Sequence, residues 1–129
     1  MGYTNYWTQK RPFNDTQWNK IKDEYSYITE NFGNIIIEDQ TEKPDEIVFN
    51  GLRKGNLDHE TFYIAKNSDS YPPDKDIVDY DAPYIEDDVD RYSHNFCKTN
   101  RKPYDLAVWH LLTFMVQVAP DCIEISRDR

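Results

Sequence analysis

Glycine is scarce in this sequence, with four residues among 129. Tight turns therefore fall to Asn, Asp and Pro, and a true phosphate-cradling glycine loop is not available. Cysteine is scarcer still. Cys97 and Cys122 are the whole supply, too few for a disulfide scaffold, and they fit buried free thiols in a reducing compartment. No stretch approaches the roughly 20 apolar residues that span a bilayer. The start, MGYTNYWTQKRPF, offers no apolar leader core and no small-residue cleavage site. Tyr6 stands where a myristoylation signal wants Ser or Thr. The expectation is a cytoplasmic protein that does not engage a membrane.

Other absences concern chemistry. The three His and two Cys lack zinc-ligand spacing. The carboxylates of Asp74-Lys75-Asp76 and Asp79-Tyr80-Asp81 lack the glycine and closing glutamate of a calcium loop. No metal or cofactor is expected. His59-Glu60-Thr61 is a single His-x-Thr motif, and neither His94-Asn95-Phe96 nor His110-Leu111-Leu112 supplies the second copy that a paired-motif phosphoesterase needs. Cys97 sits mid-strand, where a structural thiol is the default rather than a nucleophile.

What is present is acid and aromatic. The formal charge is -9. Nine acidic residues lie between Ser68 and Asp90 against one Lys75, so that window carries -8 and the rest about -1. Binding of nucleic acid through a general basic surface is disfavoured. Ten Tyr, six Phe and three Trp compensate for a modest 38% hydrophobic content, because each ring buries a large area.

Hydrophobic spacing predicts the elements. Tyr3 to Gln9 reads as a strand. Asn14 or Asp15 caps a helix whose Trp18, Ile21, Tyr25, Ile28 and Phe32 share one face, closed by Gly33. Ile35-Ile36-Ile37, Glu46 to Phe49 and Thr61 to Ile64 read as short strands. The positions 67–91 form an acidic insertion threaded with Tyr, Ile and Val, too apolar for a purely disordered linker. Tyr92 to Thr99 is a further strand. Pro103 then opens an apolar helix, about Tyr104 to Ala119, with one narrow polar stripe of His110, Thr113 and Gln117. Cys122 to Ser126 alternates as a last strand. The order predicts one α+β domain over the whole chain, with a mostly antiparallel sheet of five or six strands and two helices on one face.

The run Asn95-Phe96-Cys97-Lys98-Thr99-Asn100-Arg101-Lys102-Pro103-Tyr104-Asp105 is the most distinctive. With Phe49-Asn50-Gly51, His59-Glu60-Thr61-Phe62 and the pair Tyr6-Trp7, it resembles a family of small uncharacterised proteins of bacteria and their phages. Such proteins share the F-C-K-T-x-x-K-P-Y-D strand-to-helix motif. The resemblance covers most of the chain apart from the acidic insertion, which is longer here, and the ending Ser126-Arg127-Asp128-Arg129. It implies a phage-type protein and brings no activity with it.

The candidate site follows from the same run. Lys98, Arg101 and Lys102 place three cations ahead of a helix N-terminus, with hydroxyls on Thr99 and Tyr104, a set suited to phosphate or carboxylate. Asn50, His59 and Thr61 are expected to join them from neighbouring strands. This reading is a non-enzymatic protein that sequesters a small anionic or nucleotide-derived ligand to counter a host defence. A second reading presents Asp76, Asp79, Asp81, Glu86, Asp87 and Asp88 to a basic host protein. A third, a small hydrolase, requires at least two of His59, Glu60 and Lys98 to converge on one cleft.

Overall fold

A computed structural model of the chain describes residues 3–67 and 94–128. The acidic insertion, apart from Asn67, falls outside them, and so do its six named carboxylates.

The elements run β1 (Thr4–Gln9), α1 (Asp15–Phe32), β2 (Glu38–Asp39), β3 (Glu46–Asn50), β4 (Phe62–Ala65), β5 (His94–Lys98), α2 (Asp105–Val118) and β6 (Ile123–Arg127). The α+β class holds, but the single sheet does not. Two separate three-stranded antiparallel sheets form, ordered β5-β1-β6 and β2-β3-β4. In the first, Trp7 faces Asn95 on one side and Ile125 on the other. In the second, Phe49 pairs with Asp39 and Phe62.

The two sheets approach at Glu60 and Lys98 without forming a continuous ladder. The Glu60 N–H donates to Lys98 O at 3.3 Å. The Lys98 N–H, however, turns to the Glu60 carboxylate at 2.7 Å. A side chain thus takes the place of the next backbone acceptor, and ladder pairing between β4 and β5 goes no further. The helices are divided in the same way. Tyr25 of α1 reaches the second sheet, stacked on Phe49 at 5.5 Å, and Trp18 Nε1 donates to Pro44 O in the loop before β3. Helix α2 packs on β6, β1 and α1.

Local sequence explains both ends of α1. The Asn14 side chain accepts from the Gln17 N–H while Gln17 reaches back to the Asn14 N–H, a reciprocal cap that satisfies two orphan donors. Gly33 does end α1, but with an extended backbone, and Asn34 takes the left-handed turn at φ 61°. The glycine is needed for room, since a Cβ there would lie 2.4 Å from Thr29 O. The run Ile35-Ile36-Ile37 is not a strand. All three amides turn back to the Phe32 carbonyl, which has no helical partner of its own. Ile37 is buried and Ile35 is exposed.

One chain of rings crosses between the sheets: Trp7 to Phe62 at 5.0 Å, Phe62 to Phe49 at 5.1 Å, and Phe49 to Tyr25. Gln9 reinforces it by donating to both Ala65 O and Lys66 O at 3.1 Å. Burial raises the Tyr25 hydroxyl well above its ordinary pKa, and its hydrogen bond to Asp39 adds to this. On α2, the buried set is Ala107, Val108, Leu111, Leu112 and Met115. The expected polar stripe lies at the surface, where His110 Nε2 meets Glu24 Oε2 of α1 at 2.5 Å.

Gly51 follows β3 and packs against Leu57 and Tyr104, the residue before α2. An added Cβ would sit 2.0 Å from Leu57 O and 2.8 Å from Tyr104 Cδ1. The first obstacle is backbone and cannot swing away. Gly51→Ala is expected to cost about 3 kcal/mol, in the range of an overpacked core, read as a fall in the urea midpoint at unchanged slope. An unchanged midpoint would contradict this packing.

Candidate functional site

The loop between β5 and α2 is organised by a carboxylate. Asp105 is 8% exposed at the first residue of α2. Its Oδ1 accepts from Asn5 Nδ2 at 2.8 Å and from Thr99 Oγ1 at 2.6 Å. Its Oδ2 pairs with the Arg127 guanidinium. These donors come from β1, the loop and β6, so one side chain ties three elements to the start of α2. A buried carboxylate is tolerated only when it is matched in this way.

Backbone contacts complete the loop. The Thr99 and Asn100 amides both point to Tyr3 O, at 2.9 and 3.3 Å. Asn100 and Arg101 then adopt consecutive left-handed conformations, φ 54° and 62°. Asn tolerates that region; Arg is uncommon there and carries strain. The tight reversal turns the Arg101 side chain out to solvent, over the Tyr3 ring at 5.3 Å. Arg127 lies over the same ring at 4.6 Å and over Trp109 at 4.4 Å. The four groups form a ladder of alternating cations and rings, Arg101–Tyr3–Arg127–Trp109, a favourable arrangement for guanidinium groups. Arg127 Nε is buried without a hydrogen-bond partner among the described residues, so ring contacts hold that part of the side chain.

Two open clefts flank the ladder. The first, about 500 Å³, is lined by Tyr3, Arg101, Lys102, Pro103, Asp105 and Leu106. The second, about 470 Å³, is lined by Tyr3, Trp109, Ser126, Arg127 and Asp128. In the first cleft the Asp105 charge is already matched by Arg127. Arg101 has no carboxylate partner among the described residues, and Lys102 spends one of its three donors on Asn56 O at 2.8 Å. Counted over the described residues, that cleft carries surplus positive charge beside an apolar wall of Pro103 and Leu106.

The structure divides the eight ligand-binding residues expected from sequence. Arg101 and Lys102 line the first cleft. Thr99 is fully buried and serves Asp105. Tyr104 is fully buried and donates to Glu60 O at 2.6 Å. Asn50 closes the loop after β3: its amide donates to His59 O and Thr61 Oγ1 and accepts from the Gly51 and His59 amides. That bonding occupies Asn50 with its own loop. Lys98 is exposed at the end of β5 and does not line either cleft.

His59, Glu60 and Lys98 do come together, but through main chain. His59 Nδ1 donates to Lys98 O at 2.8 Å, and Glu60 accepts from the Lys98 N–H. The pair clips the end of β5. Cys97 donates to Glu60 O at 3.4 Å and is fully buried. Burial, with Glu60 nearby, pushes its thiol up to about 12, away from the thiolate that a nucleophile requires. Among the described residues no cluster of His, Cys, Asp or Glu is arranged to hold a metal ion. No described helix is long and apolar enough to cross a membrane.

Tyr3, Asp105, Leu106, Trp109 and Arg127 were not singled out as site residues by the sequence. For Arg127 there was a signal. Ile123, Ile125 and Arg127 share one face of β6, and a cation on an apolar face calls for a buried anion. Tyr3 gave none, since its role comes from the pairing of β1 with β5. No family model, curated protein or solved structure matches the chain.

The thiols provide a test. Cys97 and Cys122 are both buried, and burial raises both. At pH 8 a maleimide is expected to label neither in the folded protein and both in urea. Rapid stoichiometric labelling of the folded chain would show an accessible, reactive cysteine.

Proposed function

We propose that this chain is a non-enzymatic binding protein that holds a small anionic ligand in the cleft between Tyr3, Arg101 and Leu106. The observation that carries this reading is Arg101. It is an exposed guanidinium on a left-handed backbone, without a carboxylate partner among the described residues, at the mouth of an open cleft. Strain of this kind, on the order of 1 kcal/mol, persists where surrounding contacts over-determine it, and such residues concentrate at ligand sites. Here those contacts are the Thr99 and Asn100 amides on Tyr3 O and the Asp105 hub behind them.

The chemistry favours phosphate or carboxylate. Arg101 supplies a planar fork of donors and Lys102 a point charge. Nucleotide-derived ligands belong to this class. In a phage-type protein, which is all that the motif's resemblance implies, the role that fits such a cleft is sequestration, in which the ligand is a host signalling molecule and binding alone removes it. Such a role needs no catalytic group, in keeping with His59 and Glu60 being engaged with the Lys98 main chain.

Thermal shift against inorganic phosphate and a panel of nucleotides and cyclic dinucleotides tests the reading. Ligand at a hundredfold excess over Kd stabilises by about 2.7 kcal/mol, a rise of several degrees. At least one compound is expected to produce it, and Arg101→Ala is expected to abolish it without lowering the unliganded Tm. No shift with any compound, or an undiminished shift in Arg101→Ala, would overturn it.

A further inference from the structure

We infer that the ligand is a flat aromatic ring carrying an anionic group, and that on binding the ring replaces the Arg101 guanidinium on the face of Tyr3. This rests on the anion site proposed above and adds to it the class of ligand and its specificity residue.

The two cations on Tyr3 are not equivalent. Arg127 is held by the Asp105 carboxylate and by a second ring, Trp109, at 4.4 Å. Its side chain is largely shielded, 21% exposed. Among the described residues Arg101 is held only by the ring, 5.3 Å from its centroid, and it is the rung that opens on the first cleft. A ring contact at an exposed site is worth little, so Arg101 can leave the Tyr3 face at small cost. A flat ligand ring arriving there finds Arg127 on the ring's own stack and apolar walls in Pro103 and Leu106. Leu106 is 71% exposed on an otherwise apolar helix, a side chain left uncovered beside the Tyr3 face. The displaced guanidinium needs only to move aside within the cleft to meet the ligand's anionic group, with Lys102 beside it.

The second cleft is a poorer home for an anion. It shares Tyr3, but Asp128 lines it and Arg127 is already neutralised by Asp105. The polarity of the two clefts thus points the ring at Tyr3 and its charge at Arg101. A bare anion would use Arg101 and Lys102 and leave the stacking surface unused, and an uncharged ring would have to displace Arg101 without compensating it.

Isothermal titration of the full chain with inorganic phosphate, adenosine, adenosine monophosphate, acetate and benzoate separates these cases. A ring–aromatic stack should tighten binding by about tenfold or more. Adenosine monophosphate is expected to bind at least tenfold tighter than either phosphate or adenosine, or benzoate tighter than acetate by the same factor. Which pair shows the gain tells whether phosphate or carboxylate is the anionic group. Tyr3→Ala should reduce the ring-bearing ligand to the affinity of its bare anion, while Tyr3→Phe, which keeps the ring, should retain the preference. If phosphate or acetate binds through Arg101 and the ring-bearing compounds bind no tighter, the stacking inference falls and the anion site stands. If the preference survives in Tyr3→Ala, the inference falls on the same terms. If none of the five binds, the inference and the anion site fall together.

Discussion

The Asp105 carboxylate is the constraint to which the rest of this site answers. Removing a carboxylate from water costs several kcal/mol unless its oxygens are matched. Here the match is supplied by three separate elements, Asn5 on β1, Thr99 in the loop and Arg127 on β6. None of those partners can shift without leaving part of the charge uncompensated. The loop that carries Arg101 and Lys102 is therefore tied at its root and free only at its tip. Arg127, drawn in by Asp105, then fixes the spacing of Tyr3 and Trp109, on which the exposed Arg101 rests. A polar hub of this kind confers geometry more than stability, which comes from the apolar faces of the helices and the ring chain through Trp7, Phe62, Phe49 and Tyr25.

The division into two sheets has the same economy. Glu60 offers its side chain to Lys98 where β4 and β5 come near without pairing, and the hydrogen bonds of His59, Tyr104 and Cys97 gather around that junction. The F-C-K-T and H-E-T segments, which attract notice as candidate chemistry, meet there. Their shared work in the folded chain is to join two sheets that do not pair. Helix α2 begins immediately beyond, so the junction and the Asp105 hub hold opposite ends of one short loop.

Much of this was legible in the sequence, and the exceptions have physical reasons. The helices were read well because their apolar spacing reflects one-dimensional periodicity: Trp18, Ile21, Tyr25 and Ile28 are the buried residues of α1. Cys97 was legible as a buried thiol. Ile35 to Ile37 misled because β-branched composition favours a strand, whereas the unfilled Phe32 carbonyl captured the segment's amides. The single sheet misled because short linkers say nothing about which sheet edge a strand will join. At the site, Arg101 and Lys102 were visible as charges. Thr99, Tyr104 and Asn50 were visible only as polar groups, and whether a polar group faces a ligand or the protein's own backbone depends on contacts far apart in sequence. Asp105 stands in the first turn of α2, where any carboxylate suits the helix dipole. Its deeper role needed Asn5, 100 positions away, and Arg127, 22 positions away.

Asp105 positions the loop that carries Arg101 and Lys102. Amide hydrogen exchange in Asp105→Asn measures it directly, because the Thr99 and Asn100 amides donate to Tyr3 O next to the hub. Protection is expected to fall at those two amides while the central amides of α1 and β3 keep theirs. Unchanged protection at Thr99 and Asn100, or a uniform loss across all elements, would contradict it.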